Sequence, residues 1–348
     1  MKTAISIGSA YYNGEDWDKM VAYTQAADQF GVDQAWSAEA WGMDAIVPLA
    51  YLAAKTERIK LGTGIMQISA RVPSMIAMTA QSLDTVSNGR FILGLGVSGP
   101  QVVEGLHGAA FAKPLSRMRE CVEILRLGLS GQKLAYEGEH YQLPRKGGEG
   151  KAIRLSQPPR PDLPIYLATL GPKSLQMTGE MADGWLGTCF LPEHNHVFFG
   201  DLQTGADKAG RSLKDIDIQA GGYFEVGENV EELIAARKPG MAFTLGAMGS
   251  PKTNFYNDAY CRAGFEDTAK EVQSLWVDGK RDEAIRRVPD DLVLMANLIG
   301  TEDMVAARLK AFAEAGVNTL RLATGGETWE ERTAALDAAM DLIKRTGA

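Results

Sequence analysis

The sequence predicts an α/β protein built as one (β/α)8 TIM barrel with insertions. Apolar segments of strand length alternate with amphipathic helical patterns eight times along the chain. A length of 348 residues fits one barrel of about 250 residues plus insertions better than two small domains. A clear strand–helix–strand unit in the first third of the chain indicates a parallel sheet. We therefore treat residues 1–348 as a single domain.

That unit covers residues 58–101. An apolar run at 59–66 has strand length, and Pro73 begins a helix, where its missing N–H costs nothing. Asn88-Gly89 ends the helix, because Gly tolerates the left-handed conformation after a last turn. A second apolar run at 91–97 completes the unit. Five helix residues recur at helical spacing, which indicates a face turned to the core with methionine as filler: Met75, Met78, Ala80, Leu83 and Val86.

The other elements follow in the same alternation. Strands are predicted at 4–8, 32–38, 165–168, 185–188, 216–224 and 319–322. Helices are predicted at 15–30, 43–55, 115–129, 174–182, 202–210, 301–315 and 329–344. Two segments break the pattern and are predicted insertions. The first, at about 131–163, contains a β-hairpin, and the second, at about 239–285, contains a helix near 266–278 and could cover a substrate.

Composition narrows the class of protein. A net charge of −8 argues against a nucleic-acid partner, because neutralising phosphates requires clustered Lys and Arg. Cys121, Cys189 and Cys261 stand far apart and form no disulfide pattern, so a cytoplasmic location is the simplest expectation. No run of 18 apolar residues occurs, so we expect no membrane span.

Glycines interrupt both strands of the first unit near their carboxyl ends. Gly64 interrupts the first strand, and Gly94 and Gly96 interrupt the second. Gly within a strand marks either the close approach of a ligand or close packing of neighbouring elements, and the sequence leaves both open. Residues 94–99 match G-x-G-x-x-G, but these glycines lie inside the strand instead of opening a helix, which argues against a dinucleotide site.

Barrel enzymes form their sites at the carboxyl ends of the strands. Polar residues at those ends are the candidate site residues: Glu39, Gln67, Ser98, Gln101, Thr169 and Thr188. Gly171-Pro172-Lys173 adds a candidate anion site, because Gly permits close approach, Pro begins a helix whose free N–H groups attract anions, and Lys adds a cation. A Gly-Pro helix start without a ligand is the alternative. Basic residues between 145 and 160 belong to a long loop, which is either functional or a solvated surface excursion.

Two residues are candidates for proton transfer. Glu39, close to an apolar neighbour such as Trp41, could hold a proton near neutral pH. Its alternative role is an ion pair or cap at the start of the second helix. His107 is the second candidate, with a surface or packing role as the alternative. His194 and His196 have no clustered carboxylate or Cys partner, so we expect no metal site.

Four motifs resemble the bacterial-luciferase-like superfamily, in particular its branch of coenzyme F420 (deazaflavin)-dependent oxidoreductases: LGTGIM, AQSLDTVSNGRFILGLG, VEGLHG and LGPKSLQMTGEMADGW. The resemblance implies a (β/α)8 barrel with a non-proline cis peptide at Gly64–Ile65, against which the cofactor ring rests. It also implies a phosphate site at the loop of Gly171. The cofactor-binding residues expected on this basis are Gly64, Ile65, Met66, Ser98, Gln101, Thr169, Gly171, Pro172, Lys173 and Thr188.

The implied function is hydride transfer between F420 and a small-molecule substrate by a homodimeric enzyme. An FMN-dependent monooxygenase that uses oxygen is the first alternative, because the same bulge and phosphate site would serve either ring. A non-catalytic flavin-binding barrel is the second alternative. No cluster of Lys or Arg for a substrate phosphate is evident at the strand ends of the second half, which argues against a phosphorylated substrate.

Overall fold

Eight parallel strands close into a barrel in a computed structural model of the protein, which describes residues 1–8, 14–249 and 254–347. The barrel strands are β1 (Lys2–Gly8), β2 (Gln34–Ser37), β3 (Lys60–Thr63), β4 (Phe91–Gly96), β5 (Ile165–Leu167), β6 (Gly184–Leu186), β7 (Asp217–Val226) and β8 (Thr319–Thr324). Each strand pairs with its neighbours in chain order, and β8 pairs with β1. The predicted (β/α)8 fold is confirmed.

A helix follows each barrel strand on the outside. These helices are α1 (Gly14–Phe30), α2 (Ile46–Ala53), α3 (Pro73–Val86), α4 (Pro114–Leu129), α5 (Pro172–Met181), α6 (His196–Lys208), α7 (Glu302–Glu314) and α8 (Trp329–Thr346). Short pieces that accompany them are Pro100–Val103, Pro192–His194 and Leu213–Asp215. All eight predicted helices are therefore present, α3 beginning at Pro73 as predicted and the others with bounds shifted by one to six residues.

The buried face of α3 differs from the predicted one. Met75 and Met78 are each 50% exposed and Val86 is 56% exposed, so these residues do not fill the core. The stripe that faces the barrel contains Ile76 and Ala77 instead, both fully buried, together with Ala80 and Leu83. The sequence of α3 carries two apolar stripes, and periodicity alone does not tell which of them faces inward.

The strand β3 is interrupted by a bulge before it resumes as the short piece Met66–Gln67. Gly62 pairs with Ile92 in β4, whereas Met66 pairs with Leu95. Four steps along β3 therefore face three steps along β4, so one extra residue is accommodated between them. The peptide bond between Gly64 and Ile65, inside this bulge, is cis, as the family resemblance implied.

The first insertion contains the predicted hairpin, in which Tyr136–Glu137 pairs with Gln142–Leu143 in antiparallel fashion. The second insertion is wider than predicted and runs from residue 227 to residue 297. It consists of helices Val230–Gly246, Phe255–Tyr260, Cys261–Phe265 (a π-helical turn), Glu266–Val277, Arg281–Arg287 and Asp290–Ala296. Pro239 lies inside the first of these helices, and the strand Leu298–Gly300 then pairs with the end of β7. The predicted start of the insertion at residue 239 therefore falls inside a helix.

The lumen of the barrel holds a small apolar layer above a polar floor. Trp36, Ile92, Tyr166 and Leu186 form that layer with Ala4, and Ile65 packs against it from the bulge. Beneath it, at the amino-terminal end of the strands, the buried Asp217 carboxylate accepts three short hydrogen bonds from side chains, besides a longer one from Gln34 Nε2 at 3.4 Å. The donors of the short bonds are Lys2 Nζ at 2.8 Å, Tyr166 Oη at 2.7 Å and Thr319 Oγ1 at 2.8 Å.

Candidate active site at the carboxyl ends of the strands

The bulge of β3 is held in place by backbone atoms that follow β2. Gly64 N donates to Ser37 O at 2.7 Å, and Glu39 N donates to Ile65 O at 3.1 Å. These two hydrogen bonds join both residues of the cis peptide to the segment at the end of β2. The bulge is therefore a built feature of the barrel end, with Gly64 and Ile65 half-buried.

The Glu39 side chain is fully engaged in the same region. Arg71 pairs with both carboxylate oxygens, through Nη1 to Oε2 at 2.8 Å and Nη2 to Oε1 at 2.6 Å. Gln67 N donates to Oε2 at 3.1 Å, and Ala45 N, at the start of α2, donates to Oε1 at 3.3 Å. Trp41 is 70% exposed and does not enclose the carboxylate in an apolar pocket. These contacts correspond to the ion-pair alternative considered for Glu39 from the sequence.

Two buried polar atoms near the bulge lack a hydrogen-bond partner among the described residues. They are Ser37 Oγ, at the end of β2, and Gln67 Oε1, just after the bulge. Both side chains are at most 1% exposed, so surface water does not satisfy them. Buried polar atoms are rarely left unpaired without a reason, and a role in binding a ligand is one such reason.

The glycines of β4 are explained by packing. A Cβ on Gly94 would lie 1.9 Å from Thr63 O, and a Cβ on Gly96 would lie 2.7 Å from the Ile65 side chain. Gly94 therefore permits close approach of β3, and Gly96 makes room for Ile65 of the bulge. Of the two readings left open by the sequence, close packing accounts for both positions.

The loop after β5 forms a helix start of the predicted kind. Gly171 is the N-cap of α5 with Pro172 in the first turn, and its Cβ position is open apart from Ser174 Oγ at 3.7 Å. Lys173 is exposed. No side chain caps the helix, so first-turn N–H groups remain available to an anion.

Thr169 is less available than the sequence suggested. Its Oγ1 pairs with Thr178 Oγ1 at 2.8 Å, and its carbonyl accepts from Trp185 Nε1 at 2.9 Å. These bonds tie β5 to α5 and to β6. A cofactor contact by Thr169 stays a prediction.

The remaining predicted residues lie at the same end of the barrel with fewer contacts. Ser98 is half-buried with φ of 59°, a left-handed conformation that is uncommon outside Gly. Thr188 is half-buried beside Cys189, with 3.8 Å between Oγ1 and Sγ. Gln101 and His107 are exposed on the segment after β4. Their roles, like that of the buried Met66, stay predictions.

The site also contains residues that the sequence analysis did not select. Arg321 of β8, Cys189 after β6, and Tyr256 and Tyr260 of the insertion interact with one another. Burial raises the pKa of Cys189 to about 11 and raises the pKa of Tyr260 well above its usual value. A signal was present in the sequence: Arg321 is a charged residue in the middle of a predicted apolar strand.

Within the described ranges, no group of three or more His, Cys, Asp or Glu residues could hold a metal ion. Over the same ranges, no helix combines the length and apolar character that crossing a bilayer requires.

Known proteins resemble this chain along most of its length. A family model described as luciferase-like monooxygenase matches residues 1–319. A Mycobacterium tuberculosis protein, provisionally named a coenzyme F420-dependent oxidoreductase, is 38% identical over 340 residues, which cover 95% of this chain and 97% of that protein. The 5,10-methylenetetrahydromethanopterin reductase of Methanolobus tindarius is 29% identical over 305 residues, covering 87% and 89% of the two chains.

A solved structure supports the fold independently. The coenzyme F420-dependent tetrahydromethanopterin reductase of Methanopyrus kandleri superposes with a TM-score of 0.79 at 24% sequence identity. The superposition covers 99% of this chain and 97% of that one, so the insertions are included in the comparison. At this identity the likeness supports the architecture alone.

Proposed function

Because the chain belongs to the luciferase-like monooxygenase family, we propose that this enzyme is a coenzyme F420-dependent oxidoreductase acting on a small organic molecule. The observation that carries the proposal is the bulge at Gly64–Ile65 with two unpaired side-chain atoms next to it. One belongs to Ser37, whose carbonyl accepts from Gly64 N, and the other to Gln67, two residues after the bulge. The relative from Mycobacterium tuberculosis supports the choice of cofactor, because its name specifies F420 and it matches almost the whole chain.

The residues near the bulge suit a flat heterocycle with polar edges. Gly64 and Ile65 would support one face of the deazaflavin ring. Ser37 Oγ can donate or accept a hydrogen bond, whereas Gln67 Oε1 can only accept one, so together they complement a ring edge that carries both N–H and C=O groups. When bound, the deazaflavin supplies the hydride-transfer chemistry.

The start of α5 suits the phosphate of the same cofactor. The N–H groups of the first turn and the helix dipole favour an anion, and Lys173 adds a positive charge that solvent screens. Close approach is possible because Gly171 has no side chain. This site would anchor the cofactor without taking part in hydride transfer.

Glu39, in this proposal, positions the bulge and does not donate a proton. Donors from Arg71, Gln67 and Ala45 occupy both carboxylate oxygens, which leaves no free position for a proton. The Glu39 backbone meanwhile holds Ile65. His107, which is exposed, stays the candidate for proton transfer.

Titration of the purified protein with F420 and with FMN tests the choice of cofactor. We expect F420 to bind at least tenfold more tightly than FMN. Binding of F420 is measured by the fluorescence of its deazaflavin. Lys173→Met should weaken F420 binding about fivefold, because an exposed charge contact contributes about 1 kcal/mol. Lys310→Met removes an equally exposed cation on α7 and should leave the affinity unchanged.

Tight FMN binding without any response to F420 would contradict the proposal. It would instead favour the second candidate, an FMN-dependent monooxygenase, which the description of the matching family model supports. Oxygen consumption by the FMN-loaded protein would then distinguish that enzyme from a barrel that merely binds flavin.

A homodimer is the expected assembly, and the outer face of α2 and α3 supports it. Val47 and Tyr51 on α2 are 59% and 42% exposed, and Met75 and Met78 on α3 are 50% exposed each. The two helices pack against each other, so these side chains belong to one exposed apolar region. Such a region suits a second copy of the chain.

Light scattering tests this assembly. The double variant Met75→Glu/Met78→Glu should convert dimers to monomers, because two like charges would face each other across the interface. Val277→Glu, which replaces an apolar residue that is 57% exposed on the insertion, should stay dimeric. A monomeric native protein would rule the dimer out.

A further inference from the structure

Arg321 points into the lumen of the barrel. Its neighbours in β8, Leu320 and Leu322, are at most 1% exposed and pack among the surrounding helices. Side chains alternate between the two faces of a strand, so Thr319 and Arg321 share the opposite, luminal face. Thr319 confirms this orientation, because its hydroxyl reaches Asp217 on the floor. Arg321 therefore lies one step above the floor, towards the mouth.

The guanidinium of Arg321 has almost no partners. Within residues 1–8, 14–249 and 254–347, its one hydrogen bond runs from Nη2 to Gly187 O at 3.2 Å. Among the described residues no carboxylate lies within 4.0 Å of it, and residues 9–13 and 250–253 include no Asp or Glu. A buried cation without a counter-charge is costly unless an anion joins it.

Other partly buried arginines of this chain have a carboxylate partner or several backbone acceptors. Arg71 pairs with Glu39, and Arg308 pairs with Glu193. Arg90 has no carboxylate partner, but its guanidinium donates to the backbone carbonyls of Ser87, Ile59, Ala53 and Thr56. Arg321 alone among these four has a single acceptor, so its unused donors distinguish it from a structural arginine.

The side chains around Arg321 are polar but uncharged. Tyr256, from the insertion, and Cys189, after β6, are its electrostatic neighbours. Burial raises the pKa of Cys189 to about 11, so the thiol carries no charge near neutral pH. Burial also raises the pKa of Tyr256 and lowers the pKa of Arg321 itself. None of these groups neutralises the guanidinium.

We propose that Arg321 binds a carboxylate of the substrate inside the barrel, which makes the substrate class small organic acids. A planar guanidinium pairs with a carboxylate through two parallel hydrogen bonds. Binding a phosphate dianion would require a second cation beside Arg321. Among the described residues, no Lys, Arg or His is an electrostatic neighbour of Arg321. The insertion contributes Tyr256 to the same place, where it neighbours both Cys189 and Arg321.

The role of the bound acid as a substrate rests on the proposed function. Its binding to Arg321 does not. The carboxylate held by Arg321 fixes the rest of the substrate in the mouth, where the carbon that exchanges hydride with the cofactor would lie. Binding of the acid depends only on residues of this chain. It is therefore measurable in the protein without F420.

Calorimetry with matched ligand pairs tests the inference. Acetate, butyrate and benzoate are titrated beside acetamide, butyramide and benzamide, with and without F420. At least one acid should bind the native protein tenfold or more tightly than its amide. Arg321→Met should abolish this preference, and Arg321→Lys, which keeps the charge but loses the planar fork, should reduce it at least threefold. Arg286→Met removes an exposed cation on the insertion and should change nothing.

Each outcome decides the question. No preference for an acid in the native protein, or a preference that survives in Arg321→Met, would overturn the inference. If Arg321→Met does not fold, the native comparison and Arg321→Lys still decide. Acid binding through Arg321 in a protein that ignores F420 would refute the proposed cofactor alone, whereas F420 binding without any acid preference would refute the carboxylate site alone.

Discussion

Polar side chains at the two ends of the barrel lumen differ in how many hydrogen-bond partners they have. At the floor, Asp217 accepts hydrogen bonds from Lys2, Tyr166 and Thr319. Gln34 Oε1 there accepts from Trp36 and from Gln219 at 3.1 and 2.9 Å. At the mouth, Ser37 Oγ and Gln67 Oε1 have no partner among the described residues, and Arg321 has one.

This difference indicates that polar residues at the floor stabilise the fold, whereas those at the mouth of the same strands bind the ligand. A satisfied polar network is rigid and stabilises the folded chain, whereas unpaired buried groups cost free energy that a ligand can recover. Barrel enzymes place their sites at the carboxyl ends of the strands, where loops can vary without disturbing the floor. Substitutions at the two ends should therefore give opposite patterns of stability and affinity.

The largest effect is expected at the floor. Asp217→Asn should lower the free energy of unfolding by about 3 kcal/mol, because an amide nitrogen would face donors that now meet a carboxylate. Urea unfolding measures this loss. Asp341→Asn, on the exposed side of α8, should stay within about 0.5 kcal/mol of the native protein.

F420 affinity of the folded Asp217→Asn protein should equal that of the native protein. A variant that loses affinity but keeps its stability would show that the floor serves the ligand, and the comparison between the two ends would fail.

At the mouth we expect a smaller effect, on the affinity for F420 and not on the stability of the fold. Ser37→Ala removes a hydroxyl that has no partner, so stability should change by less than about 0.5 kcal/mol. Affinity for F420 should fall about fivefold to tenfold, the value of one hydrogen bond of about 1 kcal/mol. Ser82→Ala, at an exposed position of α3, is the matched control for both measurements.

The architecture was predictable because strand length, helical spacing and turn residues agree along the chain. The predicted strands are short segments rich in apolar residues, and Asn88-Gly89 adopts the left-handed conformations, with φ of 54° and 77°, that ended the predicted α3. The bulge at Gly64–Ile65 followed from family resemblance, since no local pattern specifies a cis peptide before a residue other than proline.

The site was only partly predictable because its contacts join distant parts of the chain. Arg71 engages Glu39 across 32 residues of sequence, so no local pattern distinguished a bound carboxylate from a proton donor. Tyr256 reaches Arg321 from a helix of the insertion, and Cys189 reaches it from the segment after β6. The inward face of α3 likewise depended on which apolar stripe the barrel wall selects.

A crystal structure of the protein bound to F420 tests the central claim most directly. We predict electron density for the deazaflavin ring against Gly64–Ile65, with Ser37 Oγ and Gln67 Oε1 within hydrogen-bond distance of its polar edge and the phosphate at the start of α5. A ring bound elsewhere, with those two atoms paired to protein side chains, would contradict the account.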